Sequence, residues 1–154
     1  MDETAKLKIM DKALRLLSQR AHSAQELATK LSRGKDASAE LTVYALSECR
    51  RLNLLNDAAF ARDLAAELAA RGCGELRIRL ELRKRGVSPD DACGALTAVR
   101  EDEPARAEAA ARFKLKSIRA DDPPRKKQEK LYRFLLSRGF PPPTALAAMR
   151  KALE

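Results

Sequence analysis

The stretch Leu76-Arg77-Ile78-Arg79-Leu80-Glu81-Leu82-Arg83-Lys84-Arg85-Gly86-Val87-Ser88-Pro89-Asp90-Asp91 decides the fold. An apolar run closes on basic residues and a glycine, which marks a helix C-terminus. The cations complement the negative end of the helix dipole, and glycine takes the left-handed conformation that side chains resist. A second helix opens at once, with Ser88 as N-cap, Pro89 in the first turn and Asp91 as the acid three positions on. The same signature recurs in Leu31-Ser32-Arg33-Gly34 and in Leu135-Leu136-Ser137-Arg138-Gly139. The glycines at 34, 86 and 139 lie 52 and 53 residues apart, a period that marks a tandem array. After the last copy, Pro141-Pro142-Pro143-Thr144 permits only a helix start. The first copy continues into Lys35-Asp36-Ala37-Ser38 and is looser. Leu31 to Leu46 spans 15 residues where Leu82 to Leu96 spans 14, so its turn must differ.

Each helix pair follows a further amphipathic stretch, which makes the unit a three-helix bundle. In the first, Leu7, Met10, Leu14 and Leu17 mark helix one, Ser23-Ala24-Gln25-Glu26 is a capping box opening helix two, and helix three runs from Ala39 to Leu52. In the second, Asn56 or Asp57 caps a helix carrying Phe60, Leu64 and Leu68, ended by Gly72-Cys73-Gly74; Leu76 to Arg85 and Pro89 to Val99 follow. The third takes Glu103 to Ile118, Pro124 to Ser137 and Pro143 to Leu153. The expected architecture is all-α: three tandem three-helix repeats, at 1–56, 57–100 and 101–154, in an elongated, curved array. Neighbouring units are expected to share apolar surface, because some 50 residues make a marginal core alone. The basic stretch Arg119 to Lys127 is the one long linker and is expected to be mobile.

Composition agrees. Of 154 residues, 28 are Ala and 23 Leu, against three Val and three Ile, so helix formers swamp the β-branched residues. The longest apolar run, Ala145 to Met149, is five residues, far short of a membrane span. The N-terminal Met1-Asp2-Glu3-Thr4 lacks the apolar stretch of a signal peptide, so a cytoplasmic, membrane-free protein is expected. Three cysteines without a CxxC pair argue against a disulfide framework, and a single histidine argues against zinc. Phosphate-loop, dinucleotide, zinc-protease and nucleophile-elbow motifs are missing, so no catalytic residue, metal or cofactor is assigned and an enzyme is not expected. Cys49 and Cys93 read as small core residues, and Gly72-Cys73-Gly74 as a hinge or cap. Phe60, Phe113 and Phe134 sit at core spacing, which leaves no aromatic platform for single strands.

The charge of +9 and the pI of about 9.8 favour a polyanionic or acidic partner. By unit the charge is +3, +1 and +5, yet the densest cluster lies in the middle one. Arg77, Arg79, Arg83, Lys84 and Arg85 crowd a helix whose only acid after its start is Glu81. On a helical wheel Arg79 and Arg83 fall within the apolar arc, where they must snorkel or bind something. Stacked in register, the basic-glycine turns would present Arg33 and Lys35, then Lys84 and Arg85, then Arg138, as a ladder along the rod. His22, at a helix junction, reads as a structural or partner-contact residue.

Four ordered motifs resemble the RecX family, bacterial regulators of the RecA recombinase. The run Ala13 to Leu27 (ALRLLSQRAHSAQEL) is similar to its opening signature, and Leu54-Leu55-Asn56-Asp57-Ala58-Ala59-Phe60-Ala61 to its LLDDxxFA. Arg71 to Val87 resembles RxxGxxRIxxELxxKGI, and Lys130 to Phe140 resembles KxxxFLxxRGF. Asn56 stands where an acid is usual, the turn at Ser32 to Lys35 lacks the usual spacing, and Pro141-Pro142-Pro143 is unusual. The resemblance implies a non-enzymatic inhibitor that lies in the groove of the RecA–DNA filament and touches more than one protomer; the chain itself is expected to be a monomer. There it would inhibit ATP hydrolysis, strand exchange and coprotease activity, modulating recombinational repair and the SOS response. Arg20, His22, Arg77, Arg79, Arg83, Lys84, Arg85 and Arg138 are the candidate residues facing the filament or DNA. Single- and double-stranded DNA are further candidate partners, and a RecA-independent DNA-binding helical module is the alternative, since helix, glycine turn, helix also builds DNA readers.

Overall fold

The computed structural model describes residues 2–35 and 37–154; Asp36, in the looser first turn, and Met1 lie outside the described residues. Among these, nine helices and no strand form: α1 (Glu3–Gln19), α2 (Ala24–Leu31), α3 (Ala39–Arg51), α4 (Asp57–Ala70), α5 (Glu75–Lys84), α6 (Pro89–Arg100), α7 (Glu103–Leu115), α8 (Pro124–Ser137) and α9 (Pro142–Ala152). Local chemistry sets the boundaries. Ser23, Ser38, Asn56 and Ser88 each accept an amide N–H of the first turn, and Ser23 with Glu26 completes a reciprocal capping box. Gly86 (φ 79°) and Gly139 (φ 93°) end α5 and α8 in the left-handed region. Gly34 does not take up that region, so the first turn is indeed built differently.

Packing is local to each triplet. Its first and third helices lie together (α1 with α3, α4 with α6, α7 with α9), and the second closes the open side. Three separate cores result. Ala13, Leu27, Leu31, Ala45 and Cys49 centre the first; Ala61, Ala65, Ile78, Leu82 and Leu96 the second; Ala107, Leu131, Leu135, Phe140 and Ala145 the third. Alanine on the first helices lets the backbones approach while leucine from the second fills the gap. The accessible surface is 9643 Å², against roughly 7,700 Å² for a compact 17 kDa protein, as an elongated array requires.

Four expectations are corrected. Neighbouring units do not merge their apolar surfaces; they meet through polar joints. Cys93 is exposed rather than in the core, while Cys49 and Cys73 are buried. Phe113 is 72% exposed, because Ala107 and Ala111 take the inward positions of α7. The segment before α8 is pinned: the buried Asp122 carboxylate accepts Lys130 Nζ at 2.7 Å and faces Lys126 Nζ at 3.7 Å. The Lys130 hydrogen bond holds that carboxyl below its usual range despite burial.

Candidate functional site

The sequence-predicted cations divide into an outward face and two joints. Ile78 and Leu82 anchor α5 in its core, and the pitch of the helix then turns Leu76, Arg77, Leu80, Arg83 and Lys84 to solvent. Arg79 is exposed as well and bonds Glu75 one turn back, Nη2 to Oε1 at 2.9 Å. Lys84 pairs loosely with Glu81 at 3.5 Å. Arg77 and Arg83 have no ionic partner among the described residues. Leu76 and Leu80 are each 45% exposed, so this face pairs cations with aliphatic surface, a mixture suited to a protein partner.

The first joint takes Arg20 and Arg85, and His22 lies buried in the α1–α2 loop beside it. Arg20 pairs with Glu26 (Nη2 to Oε2, 3.0 Å), and Arg85 reaches the same oxygen from the second unit at 3.4 Å. Burial pushes the Glu26 carboxyl up, but the hydrogen bonds from Arg20 and the Ser23 amide outweigh it and hold it below its usual value. His22 is 2% exposed. Its Nδ1 donates to the Arg20 carbonyl at 2.9 Å and its Nε2 accepts from Lys30 Nζ at 2.8 Å. An ammonium has only donors, so these partners require the neutral imidazole; burial lowers its pKa below 6.5. Lys30, Arg33, Lys84 and Arg85 line the cleft that the joint leaves open, with Glu26 at its side.

The second joint repeats the design. At the first, Ser23 Oγ donates to the Arg85 carbonyl and Asp57 Oδ1 accepts the Ala24 amide at 2.9 Å. At the second, the Gly74 amide donates to the Arg138 carbonyl at 2.8 Å, and Glu103 Oε2 accepts the Glu75 amide at 3.1 Å. Each time, a second helix is capped by the acid that opens the next unit and by the arginine before that unit's glycine. The Arg138 side chain donates to the Arg71 carbonyl, and the Leu76 amide donates to the Gly139 carbonyl at 2.9 Å. A Cβ on Gly74 would sit 2.5 Å from the Gly139 carbonyl group, so only glycine fits. Arg106 completes the joint by donating to the Cys73 and Val99 carbonyls. Burial pushes the Glu103 carboxyl up, although the Glu75 amide and Arg106 oppose this.

Of the expected basic ladder, Arg33, Lys35 and Lys84 are exposed, while the side chains of Arg85 and Arg138 are engaged by Glu26 and the Arg71 carbonyl. The glycines at 86 and 139 pack on the unit before, and Arg85 and Arg138 spend their carbonyls there. Sequence reasoning missed Glu26, Asp57, Glu103 and Arg106 as joint residues. Two signals were available: an acid opening both α4 and α7, and the glycine at 74. No group of His, Cys, Asp and Glu among the described residues is placed to hold a metal ion, and no described helix is long and apolar enough to cross a membrane.

The molecule is thus a tandem three-helix array with polar, quasi-repeated joints and an outward basic helix at its centre. Residues 56–96 match the family model described as RecX, second three-helix domain, and 101–149 match RecX, third three-helix domain. Proteins named Regulatory protein RecX from Chlorobaculum tepidum and Herminiimonas arsenicoxydans are both 38% identical to the chain. The first match covers 91% of this chain and 85% of that protein, the second 97% of each. The crystal structure of RecX from Lactobacillus salivarius superposes with a TM-score of 0.86 at 24% identity, covering 97% of each chain. The chain belongs to the RecX family of regulatory proteins.

Proposed function

We propose that the chain regulates the RecA recombinase by lying in the groove of the RecA–DNA filament, with α5 turned to the filament. It acts by binding rather than catalysis, in the cytoplasm and as a monomer. Occupying the groove lowers RecA's ATP hydrolysis, strand exchange and coprotease activity, and so restrains recombinational repair and the SOS response. The observation that carries this reading is the outward face of α5, where Arg77, Arg83 and Lys84 flank exposed Leu76 and Leu80 at the centre of an elongated molecule. Cations beside aliphatic surface suit a partner that is part protein and part polyanion. A long molecule can also make many modest contacts along a helical groove without a deep pocket. Arg85, Arg138 and Arg20 serve that surface indirectly, by fixing the angles between units, and His22 by holding the α1–α2 loop that leads into the first joint.

The test is RecA's single-strand-dependent ATP hydrolysis against increasing amounts of the protein, at two DNA concentrations, both with DNA in excess over RecA. Inhibition below one molecule per RecA protomer, insensitive to added DNA, is expected. Inhibition that vanishes as free DNA rises would point instead to a RecA-independent DNA-binding module, and no inhibition would remove RecA from the reading.

A further inference from the structure

A cleft of about 270 Å³ opens between α5 and α6. Val87 and Leu96 form its floor, Arg79, Arg83 and Arg100 its rim, and Cys93 lies in its wall. The rim is organised from within. Glu75 Oε1 accepts Arg79 Nη2 at 2.9 Å and Arg100 Nη2 at 2.6 Å, so one carboxylate holds guanidinium groups from two helices at the mouth. That single acid leaves the rim positive, since Arg83 has no ionic partner among the described residues. Both bridged arginines keep about half of their side-chain surface exposed, at 46% and 52%, and retain donors for a further carboxylate.

We propose that this cleft is the docking site for an acidic segment of a partner protein that carries an apolar side chain beside its carboxylates. The carboxylates meet Arg83 and the free donors of Arg79 and Arg100, while the apolar side chain covers Val87 and Leu96. Charge complementarity selects an acidic occupant, and the aliphatic floor selects a peptide. Nucleic acid gains little here, because the floor offers no π-face for a base. The proposal deepens the recombinase reading and rests on it only for the partner's identity.

Cys93 supplies the assay. It is the exposed thiol, whereas Cys49 and Cys73 are buried, so its alkylation by N-ethylmaleimide, followed by peptide mass spectrometry on the full chain, reports an occupied cleft. A dodecapeptide alternating glutamate with leucine should slow Cys93 alkylation, by about tenfold when the peptide stands at ten times its Kd. Arg83→Glu should abolish that protection while the helical circular dichroism is unchanged. The proposal is overturned by no protection at millimolar peptide, by equal protection from oligoglutamate, by protection from oligothymidine but not from the peptide, or by protection that survives Arg83→Glu. Alkylation needs no recombinase, so a negative result here and a failure of ATPase inhibition are separate findings.

Discussion

His22 fixes the α1–α2 loop beside the first joint, and Gly74 fixes the second joint itself. His22 is neutral in the folded state because Lys30 occupies its Nε2 lone pair and burial disfavours the cation. Its folded pKa lies below the 6.5 of the free side chain, so near neutrality neither state binds the proton. As the pH falls below 6.5 the unfolded chain binds it first, and stability is lost until the folded pKa is passed. Urea unfolding between pH 7.5 and 5 should show this decline, and His22→Gln should flatten it; an equal slope in both proteins would separate the effect from His22. The glycine at 74 acts through space alone. Gly74→Ala drives a methyl group into the Gly139 backbone, and overpacking of this kind costs about 1–3 kcal/mol. The urea midpoint should fall accordingly while the cores of the separate units keep their helices.

At the scale of elements, α5 was legible as a helix from its caps, and its inward Ile78 and Leu82 from their spacing. What misled was the width of its apolar stripe. Leu76, Ile78, Leu80 and Leu82 read as one arc that traps Arg79 and Arg83, but a ten-residue helix against α4 and α6 buries only Ile78 and Leu82. Leu76 and Leu80 are left outside with the cations. Phe113 and Cys93 failed for the same reason: alanine-rich helices offer several arcs of equal apolarity, and tertiary packing chooses among them. Most helix starts, by contrast, followed from serine, asparagine and proline, and the ends of α5 and α8 from glycine, whose effects are local; α7, with no glycine or proline to mark its end, stops at Leu115 rather than Ile118. The functional consequence belongs to the outward face. Replacing Arg77, Arg83 and Lys84 together by glutamate alters three exposed side chains and removes no core contact or joint hydrogen bond, so helix content should persist while filament inhibition falls by at least about tenfold. Arg85 is left out of that triple because its reversal would set a second carboxylate beside Glu26 and open the first joint. Full inhibition by the variant would place the filament contact elsewhere.

For the whole molecule, the joints matter because the cores do not cross them. Each unit buries its own leucines, so the angle between units is held by a few backbone amides, two capping acids and the Arg20–Glu26–Arg85 cluster. The start of α8 departs from those of α2 and α5, because Pro123 and Pro124 have no amide to donate. With three units joined through such narrow contacts, X-ray scattering should give a radius of gyration clearly above the roughly 15 Å of a compact chain of this length. Removing the first joint tests whether rod geometry carries function. Ser23→Ala with Asp57→Ala deletes the hydroxyl donor to Arg85 and the cap on Ala24, yet leaves the outward face of α5 intact. Losing these caps should cost about 1–2 kcal/mol, with helicity nearly kept and a broadened scattering distance distribution as the first unit swings. If inhibition depends on several sites presented at fixed spacing, their effective concentration drops with that swing. The double variant should then need a severalfold higher concentration for half-inhibition of RecA. Unchanged inhibition with a visibly loosened rod would mean that one unit suffices, and would confine the regulatory contact to α5 and its neighbours.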